Sequence, residues 1–220
     1  MANILCFDFD DTIVIENTAR LIFERFAGPE WNEIGAQYDA GQMTVEQANA
    51  ACLRTVTATR EEMMAVARDS TTIREGFLEL LDWAHWNEWQ AVVVSNGFDF
   101  YVDAVLDSAG LDRLARHTAR TNFDYHWLAT YLSPRGVELE AGFKLSYAAA
   151  FKGLGDLVAY VGDGASDVEA ARLAGVVFAR STLLERMAGV HPQVYAFETF
   201  HDVREVMERE AAGWVGATSS

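Results

Sequence analysis

Short, wholly apolar runs separated by longer stretches with helical spacing dominate the chain. Residues 4–9, 91–94 and 157–161 form three such runs, rich in Val, Ile and Leu, each ending abruptly in small or polar residues. A fourth, 176–179, follows a helical stretch that begins near Ala165. Segments apolar on both faces are what buried strands of a parallel sheet require, because helices cover that sheet from both sides. The intervening pattern predicts helices over 19–26, 45–55, 60–68, 74–86, 101–108, 145–151 and 203–212. Strand alternating with helix predicts an α/β chain built on a doubly wound, Rossmann-like parallel sheet.

Residues 16–72 break the alternation: several helical patterns follow one another without a strand, punctuated by Gly28-Pro29 and Gly41. This predicts a small helical cap inserted after the first strand, with residues 1–15 and 73–220 forming the α/β core and 16–72 the cap. Residues 117–142 carry Tyr125, Trp127 and Tyr131 near a turn signal at Pro134-Arg135-Gly136, which fits either a hairpin or flap over the sheet edge or a plain surface loop. The last residues, 218–220, read as a frayed tail.

Composition supports a packed core, since half of the 220 residues are hydrophobic and 12% are aromatic. The formal net charge of -16 speaks against nucleic acid or an anionic membrane surface as partners, and any anionic substrate must be drawn in by a local site. Cys6 and Cys52 have neither disulfide-framework nor zinc spacing and read as small buried apolar residues. The first residues lack the basic and long apolar regions of a signal peptide, and no window approaches the length of a membrane span, so a cytoplasmic location is expected.

The chemistry gathers at the ends of the apolar runs. The first run delivers Asp8, Phe9, Asp10, Asp11 and Thr12, and in an extended chain alternation puts Asp8 and Asp10 on one side and Phe9 on the other. A capped strand end with a polar turn explains these acids equally well when they are taken alone. The third run, however, passes through Gly162 into Asp163-Gly164-Ala165-Ser166-Asp167, a second carboxylate cluster at a strand's C-terminal end. Open parallel sheets bind ligands at that edge. Asp8, Asp10 and Asp163 brought together would repel one another unless neutralised, and a hard divalent cation such as Mg²⁺ takes oxygen ligands of this kind. The second run ends in Ser95-Asn96-Gly97, which offers a hydroxyl, an amide and a flexible main-chain N–H for phosphate oxygens, or forms a simple Asn-Gly turn. Two lysines, Lys144 and Lys152, precede the second acidic cluster, and one of them reaching the site would stabilise charge on a transferring phosphoryl group.

Asp8-Phe9-Asp10-Asp11-Thr12, Ser95-Asn96-Gly97, Lys144 and Gly162-Asp163-Gly164 through Asp167, in this order, resemble the haloacid dehalogenase (HAD) superfamily of phosphatases. The resemblance implies that Asp8 is a nucleophile forming an aspartyl-phosphate and that Asp10 is the general acid and then the base for water. It implies further that Thr12 orients Asp10, that Ser95 and Lys144 hold phosphate oxygens within the turn that includes Asn96 and Gly97, and that Mg²⁺ is bound by Asp8, the main-chain carbonyl of Asp10 and Asp163, with Asp167 close by. An acid at position 10 favours phosphate transfer over carbon–halogen cleavage within that superfamily. The insertion after strand one resembles the type-one cap of the phosphoserine-phosphatase-like branch. Residues 26–31 and 72–77 resemble the methionine-salvage phosphatases that act on 2-hydroxy-3-keto-5-methylthiopentenyl-1-phosphate. Asp11 stands where the family commonly has Gly, Ala141-Gly142-Phe143 precede Lys144 where some salvage enzymes are cysteine-rich, and Asn17 stands where phosphoserine phosphatases carry an acid.

Trp83, Trp86 and Trp89 fall at three-residue intervals and read as core packing or a dimer contact, Phe98, Phe100 and Tyr101 as core, and residues 205–210 as a solvated acidic helix face. The expectation is a Mg²⁺-dependent phosphomonoesterase, monomeric or homodimeric, acting on a small phosphorylated metabolite. The alternatives are a phosphotransferase or mutase sharing the intermediate, and a catalytically idle binding protein.

Overall fold

The computed structural model describes residues 2–154 and 157–217, and the tail expected at 218–220 lies outside them. In chain order the elements are β1 (Asn3–Phe7), α1 (Thr18–Phe26), α2 (Glu30–Asp39), α3 (Val45–Arg54), α4 (Arg60–Ser70), α5 (Phe77–Trp86), β2 (Trp89–Phe98), α6 (Asp99–Ser108), β3 (Ala115–Asp124), β4 (His126–Leu132), β5 (Glu138–Leu139), α7 (Phe143–Gly153), β6 (Leu157–Gly162), α8 (Val168–Leu173), β7 (Val176–Ala179), α9 (Ser181–Met187), β8 (Val194–Ala196) and α10 (Phe200–Ala217). They divide into two compact units, one of residues up to 15, 73–94 and from 144 onward, the other of 16–72 and 95–143.

The first unit carries a parallel sheet in the order β2-β1-β6-β7-β8. Its central strand β1 is buried from Ile4 to Phe7, with no polar side to its alternation, as a strand covered on both faces must be. The registers Phe7↔Val93 and Phe7↔Val161 bring the C-terminal ends of β1 and β6 level, while β2 continues past Val93 to Phe98. Beneath them Phe7, Phe77 and Phe200 interlock with ring centroids 4.9 to 5.7 Å apart. The helix expected from residue 74 starts at Phe77, because Gly76 adopts φ 83 and a Cβ there would stand 2.6 Å from the His201 main-chain nitrogen. Trp89 is buried whereas Trp86 is 82% exposed, so core packing does not account for the whole tryptophan series.

The second unit contains α1 to α4, α6 and the antiparallel strands β3-β4-β5. Thr44 and Thr59 open α3 and α4 with reciprocal capping boxes to Gln47 and Glu62, which fixes where these helices begin. The segment around residues 117–142 is a hairpin, turning at Tyr125 (φ 60) between the paired Asp124 and His126. The Trp127 indole N–H donates to the Ala58 carbonyl at 2.9 Å, giving a buried ring a partner for its polar edge. No helix among the described residues is long and apolar enough to cross a membrane.

Candidate active site

The first acidic motif does not continue as a strand. Asp8 makes the last sheet bond, donating its N–H to Val161 O at 2.9 Å, and the chain then winds into a single wide turn over Phe9–Ile13, closed by Val14 N–H to Phe9 O at 3.1 Å. Alternation therefore ends at Asp8. Asp10 is extended (φ -65, ψ 137) and Asp11 left-handed (φ 59, ψ -4), a conformation that Asp tolerates better than most residues with a Cβ. Turns of this i→i+5 kind recur at functional sites because they re-aim side chains without breaking the chain path. Here the turn buries Phe9 and Thr12 while Asp10 and Asp11 remain half-exposed.

The second acidic motif follows β6. Gly162 is required by close approach, since a Cβ there would meet Asp167 Cγ at 2.8 Å. Asp167 is fully buried and its oxygens are saturated. Oδ2 accepts the main-chain N–H groups of Asp163 (3.1 Å) and Gly164 (2.8 Å), and Oδ1 accepts Tyr160 OH and Lys144 Nζ, both at 2.7 Å. Lys144, in the first turn of α7 and 3% exposed, joins the two motifs: its ammonium lies 2.7 Å from Asp8 Oδ1 as well and 3.2 Å from Ser166 Oγ. Thr12 Oγ1 donates to Asp163 Oδ1 at 3.1 Å. Lys152 is exposed.

Asp8, Asp163 and Asp167 each offer an oxygen within 4.8 Å of the others; the Asp10 carboxylate is outside this group. Burial, with Asp167 and Asp163 nearby, holds the Asp8 carboxyl well above the usual range against the pull of Lys144. Asp163 is pushed up to about 7 by burial, Asp167 and Asp11. Burial opposes the Lys144 charge, but Asp167 and Asp8 outweigh it and hold the ammonium protonated more firmly than a free lysine. One buried cation thus faces three carboxylates, an imbalance that a divalent cation would remove. The donor set fits such an ion: all ligand atoms are hard oxygens, Asp163 is only partly buried, and Asp8 and Asp163 each have a second oxygen beyond the one held by Lys144 or Thr12. Asp167, with four donors on its two oxygens, is better placed to hold Lys144 and the Asp163 loop.

Ser95-Asn96-Gly97 lies within β2, which runs on to Phe98, so it is extended strand and not an Asn-Gly turn, and it belongs to the second unit. Gly97 N–H donates to Ser95 Oγ at 2.9 Å, and a Cβ on Gly97 would collide with the Tyr101 hydroxyl, so only glycine fits. The Asn96 side-chain amide donates to Glu46 Oε1 at 3.2 Å, and its main-chain carbonyl accepts Tyr131 OH at 2.6 Å and Asn49 Nδ2 at 3.0 Å. The same Glu46 oxygen accepts Phe143 N–H at 2.8 Å, next in sequence to Lys144.

Reading the sequence did not find Tyr160, Glu46 or a role for Arg74. Each left a trace: Tyr160 is the one hydroxyl in an otherwise aliphatic strand, Glu46 an acid in a helix's first turn, and Arg74 a lone base between Ile73 and a glycine turn. None says which partner it meets.

Comparison with known proteins agrees with this geometry. Residues 5–172 match the family model for haloacid dehalogenase-like hydrolases. The chain is 27% identical over 202 residues to 2-hydroxy-3-keto-5-methylthiopentenyl-1-phosphate phosphatase of Bacillus cereus (strain AH187), covering 90% of this chain and 92% of that protein, and 26% identical over the same length to its counterpart from Bacillus thuringiensis subsp. konkukian (strain 97-27). Among solved structures, a phospho-aspartyl intermediate analogue of phosphoserine phosphatase superposes with a TM-score of 0.66 at 24% identity, covering 94% of this chain and 98% of that one. A substrate-bound phosphoserine phosphatase complex gives 0.66 at 22%, covering 95% and 98%, a likeness of fold. With the four motifs in order and the match spanning most of its length, the chain belongs to the haloacid dehalogenase-like hydrolases.

Proposed function

We propose that this hydrolase is a Mg²⁺-dependent phosphatase that cleaves a small-metabolite phosphomonoester through an aspartyl-phosphate on Asp8. The observation that carries the reading is Lys144 Nζ, held at 2.7 Å from both Asp8 and Asp167 beside the Asp163 carboxylate. The lysine fixes the Asp8 carboxylate, and one of its oxygens attacks phosphorus. As that P–O bond forms, the bond to the substrate's alkoxide breaks, and Asp10 delivers a proton to the leaving oxygen. Asp10 then takes a proton from water, whose oxygen attacks phosphorus, breaks the bond to Asp8 and releases inorganic phosphate. The lysine charge offsets repulsion between the anionic nucleophile and the anionic phosphoryl group. Asp8, Asp163 and the Asp10 main-chain carbonyl would hold the Mg²⁺ ion, which supplies further charge neutralisation on the phosphoryl oxygens. Thr12, in the same unit as Asp8, completes the proposed substrate contacts.

For the substrate, 2-hydroxy-3-keto-5-methylthiopentenyl-1-phosphate is our first choice, supported by the relative at 27% identity that covers nearly the whole chain. Phosphoserine ranks below it because Asn17 stands where an acid is expected, and here that side chain caps α1 by accepting Arg20 N–H at 3.0 Å. The test is phosphate release from a metabolite panel containing both compounds, with and without Mg²⁺, for the wild type and Asp8→Asn. Release that survives in the folded Asp8→Asn protein refutes the nucleophile; phosphate appearing on an added alcohol in place of free phosphate would make the enzyme a transferase.

A further inference from the structure

Arg74 lies between Ile73, which bridges to Val14, and the left-handed Gly76 turn, and is 7% exposed. All three bonds of its guanidinium go to main-chain carbonyls: Nε to Thr12 O (2.8 Å), Nη2 to Asp11 O (2.8 Å) and Nη1 to Glu198 O (3.2 Å). Its own main-chain N–H donates to Ile13 O at 2.7 Å. The carbonyls of residues 11, 12 and 13, three in succession, therefore end on one arginine. The Ile13–Val14 peptide is held from both sides, by Arg74 at its oxygen and by Phe9 O at its nitrogen. In a trans peptide C=O and N–H point in opposite directions, so fixing these oxygens turns the N–H groups of Thr12 and Ile13 away from the arginine and fixes both planes flanking Thr12. Asp11, immediately before these planes, sits left-handed without the glycine that makes this conformation easy, so the turn depends on outside contacts. The planar guanidinium offers five donors in a rigid fork and can meet divergent carbonyls, which a lysine ammonium on its flexible stem cannot do with the same rigidity. Arg74 is itself anchored: its carbonyl accepts Phe77 N–H at 3.3 Å, and the neighbouring Glu75 carbonyl accepts Phe200 N–H at 2.9 Å.

We propose that Arg74 is a positioning residue for the catalytic turn, holding its main chain so that Asp8, Asp10 and Thr12 keep their working arrangement. This rests on the reading of Asp8 as the nucleophile. The test compares wild type, Arg74→Lys and Arg74→Ala in steady-state hydrolysis of p-nitrophenyl phosphate with Mg²⁺, in thermal unfolding, and in amide hydrogen exchange of residues 10–14. A displaced turn is expected to lower kcat by about 100-fold with KM nearly unchanged, the scale of loss from an ångström-sized misplacement. Exchange should quicken within the turn while the strands keep their protection. Millimolar guanidinium should restore roughly tenfold of kcat to Arg74→Ala, on the same scale of reasoning, and equimolar sodium chloride should not. Wild-type kcat in both variants, a change in KM alone, or a folded Arg74→Ala protein that guanidinium does not restore would each overturn the proposal; if Arg74→Ala does not fold, Arg74→Lys decides. Should the wild type release no phosphate from any panel compound, the nucleophile reading fails, and hydrogen exchange judges Arg74 alone: exchange unchanged in Arg74→Lys overturns it, and faster exchange confined to 10–14 upholds it.

Discussion

Replacing Lys144 by Met removes the single buried cation from among three carboxylates while keeping much of its volume. At 2.7 Å and an effective dielectric constant of about 20, each of its ion pairs, with Asp8 and with Asp167, represents roughly 6 kcal/mol of Coulomb attraction. Most of that is consumed in desolvating the ions, so the expected loss is that of breaking a buried pair by removing one partner, about 3–5 kcal/mol. For a chain of 220 residues this corresponds to a fall in the unfolding midpoint of roughly 6–20 °C, which leaves a domain of ordinary stability folded at room temperature. The loss has a sign with pH. The folded-state pKa of Asp8 is already raised, and without Lys144 it rises further, so the deficit is small in acid, where that carboxyl is protonated, and grows as pH increases. Adding Asp167→Asn to Lys144→Met removes one of the uncompensated charges and should recover part of the stability, a non-additivity expected of groups sharing one site. The assay is thermal and urea unfolding followed by circular dichroism at about pH 5 and pH 8 in EDTA, with phosphatase activity measured on separate samples supplied with Mg²⁺; kcat is expected to drop by about 10²–10³-fold, the scale for one lost charge-stabilising donor. A midpoint lowered by less than about 2 °C at pH 8, or a deficit that does not change with pH, would refute the reasoning, since either result means that Lys144 does not neutralise these acids.

Three other outcomes follow from the same geometry. Asp163, raised to about 7 from an unfolded value near 4, takes up a proton in the folded metal-free protein between these limits, so stability falls as pH rises across that window; millimolar Mg²⁺ should therefore raise the melting temperature more at about pH 7.5 than at about pH 5.5, and equal shifts would contradict the assignment of the ion to this carboxylate. Tyr160→Phe deletes the buried 2.7 Å bond to Asp167 and should cost about 1.5–3 kcal/mol in urea unfolding, whereas a neutral result would mean that Asp167 needs no such donor. Glu46→Ala strips partners from Phe143 N–H and the Asn96 amide, both buried, and should destabilise by about 2–4 kcal/mol, with Glu46→Gln recovering part of this because one oxygen acceptor remains.

Period and punctuation were sufficient to read the parallel core. An apolar run without a polar alternate, as in Ile4 to Phe7, admits few environments other than a strand covered on both faces, and Asp8, Asp163 and Lys144 follow such elements or precede them at fixed offsets. The break in alternation at 16–72 was visible, but that residues 95–143 form one compact unit with it was not, because compactness depends on contacts between residues far apart in the chain. The hairpin around Tyr125 stayed ambiguous for a related reason: its pairing partners are local, yet its composition suits a loop equally well.

Residue types and the period of the chain placed acidic clusters at the ends of two apolar runs and left Lys144 and Lys152 both open as the base. The tertiary structure alone revealed how the charges are shared: that Lys144 bridges Asp8 to Asp167, that Tyr160 and two main-chain N–H groups saturate Asp167, and that Arg74 gathers the carbonyls of a turn where strand alternation was expected. Hydrogen bonds and buried charge depend on ångström distances between residues separated by up to 150 positions or more, as Thr12 and Asp163 are, and no periodicity in the sequence encodes such distances.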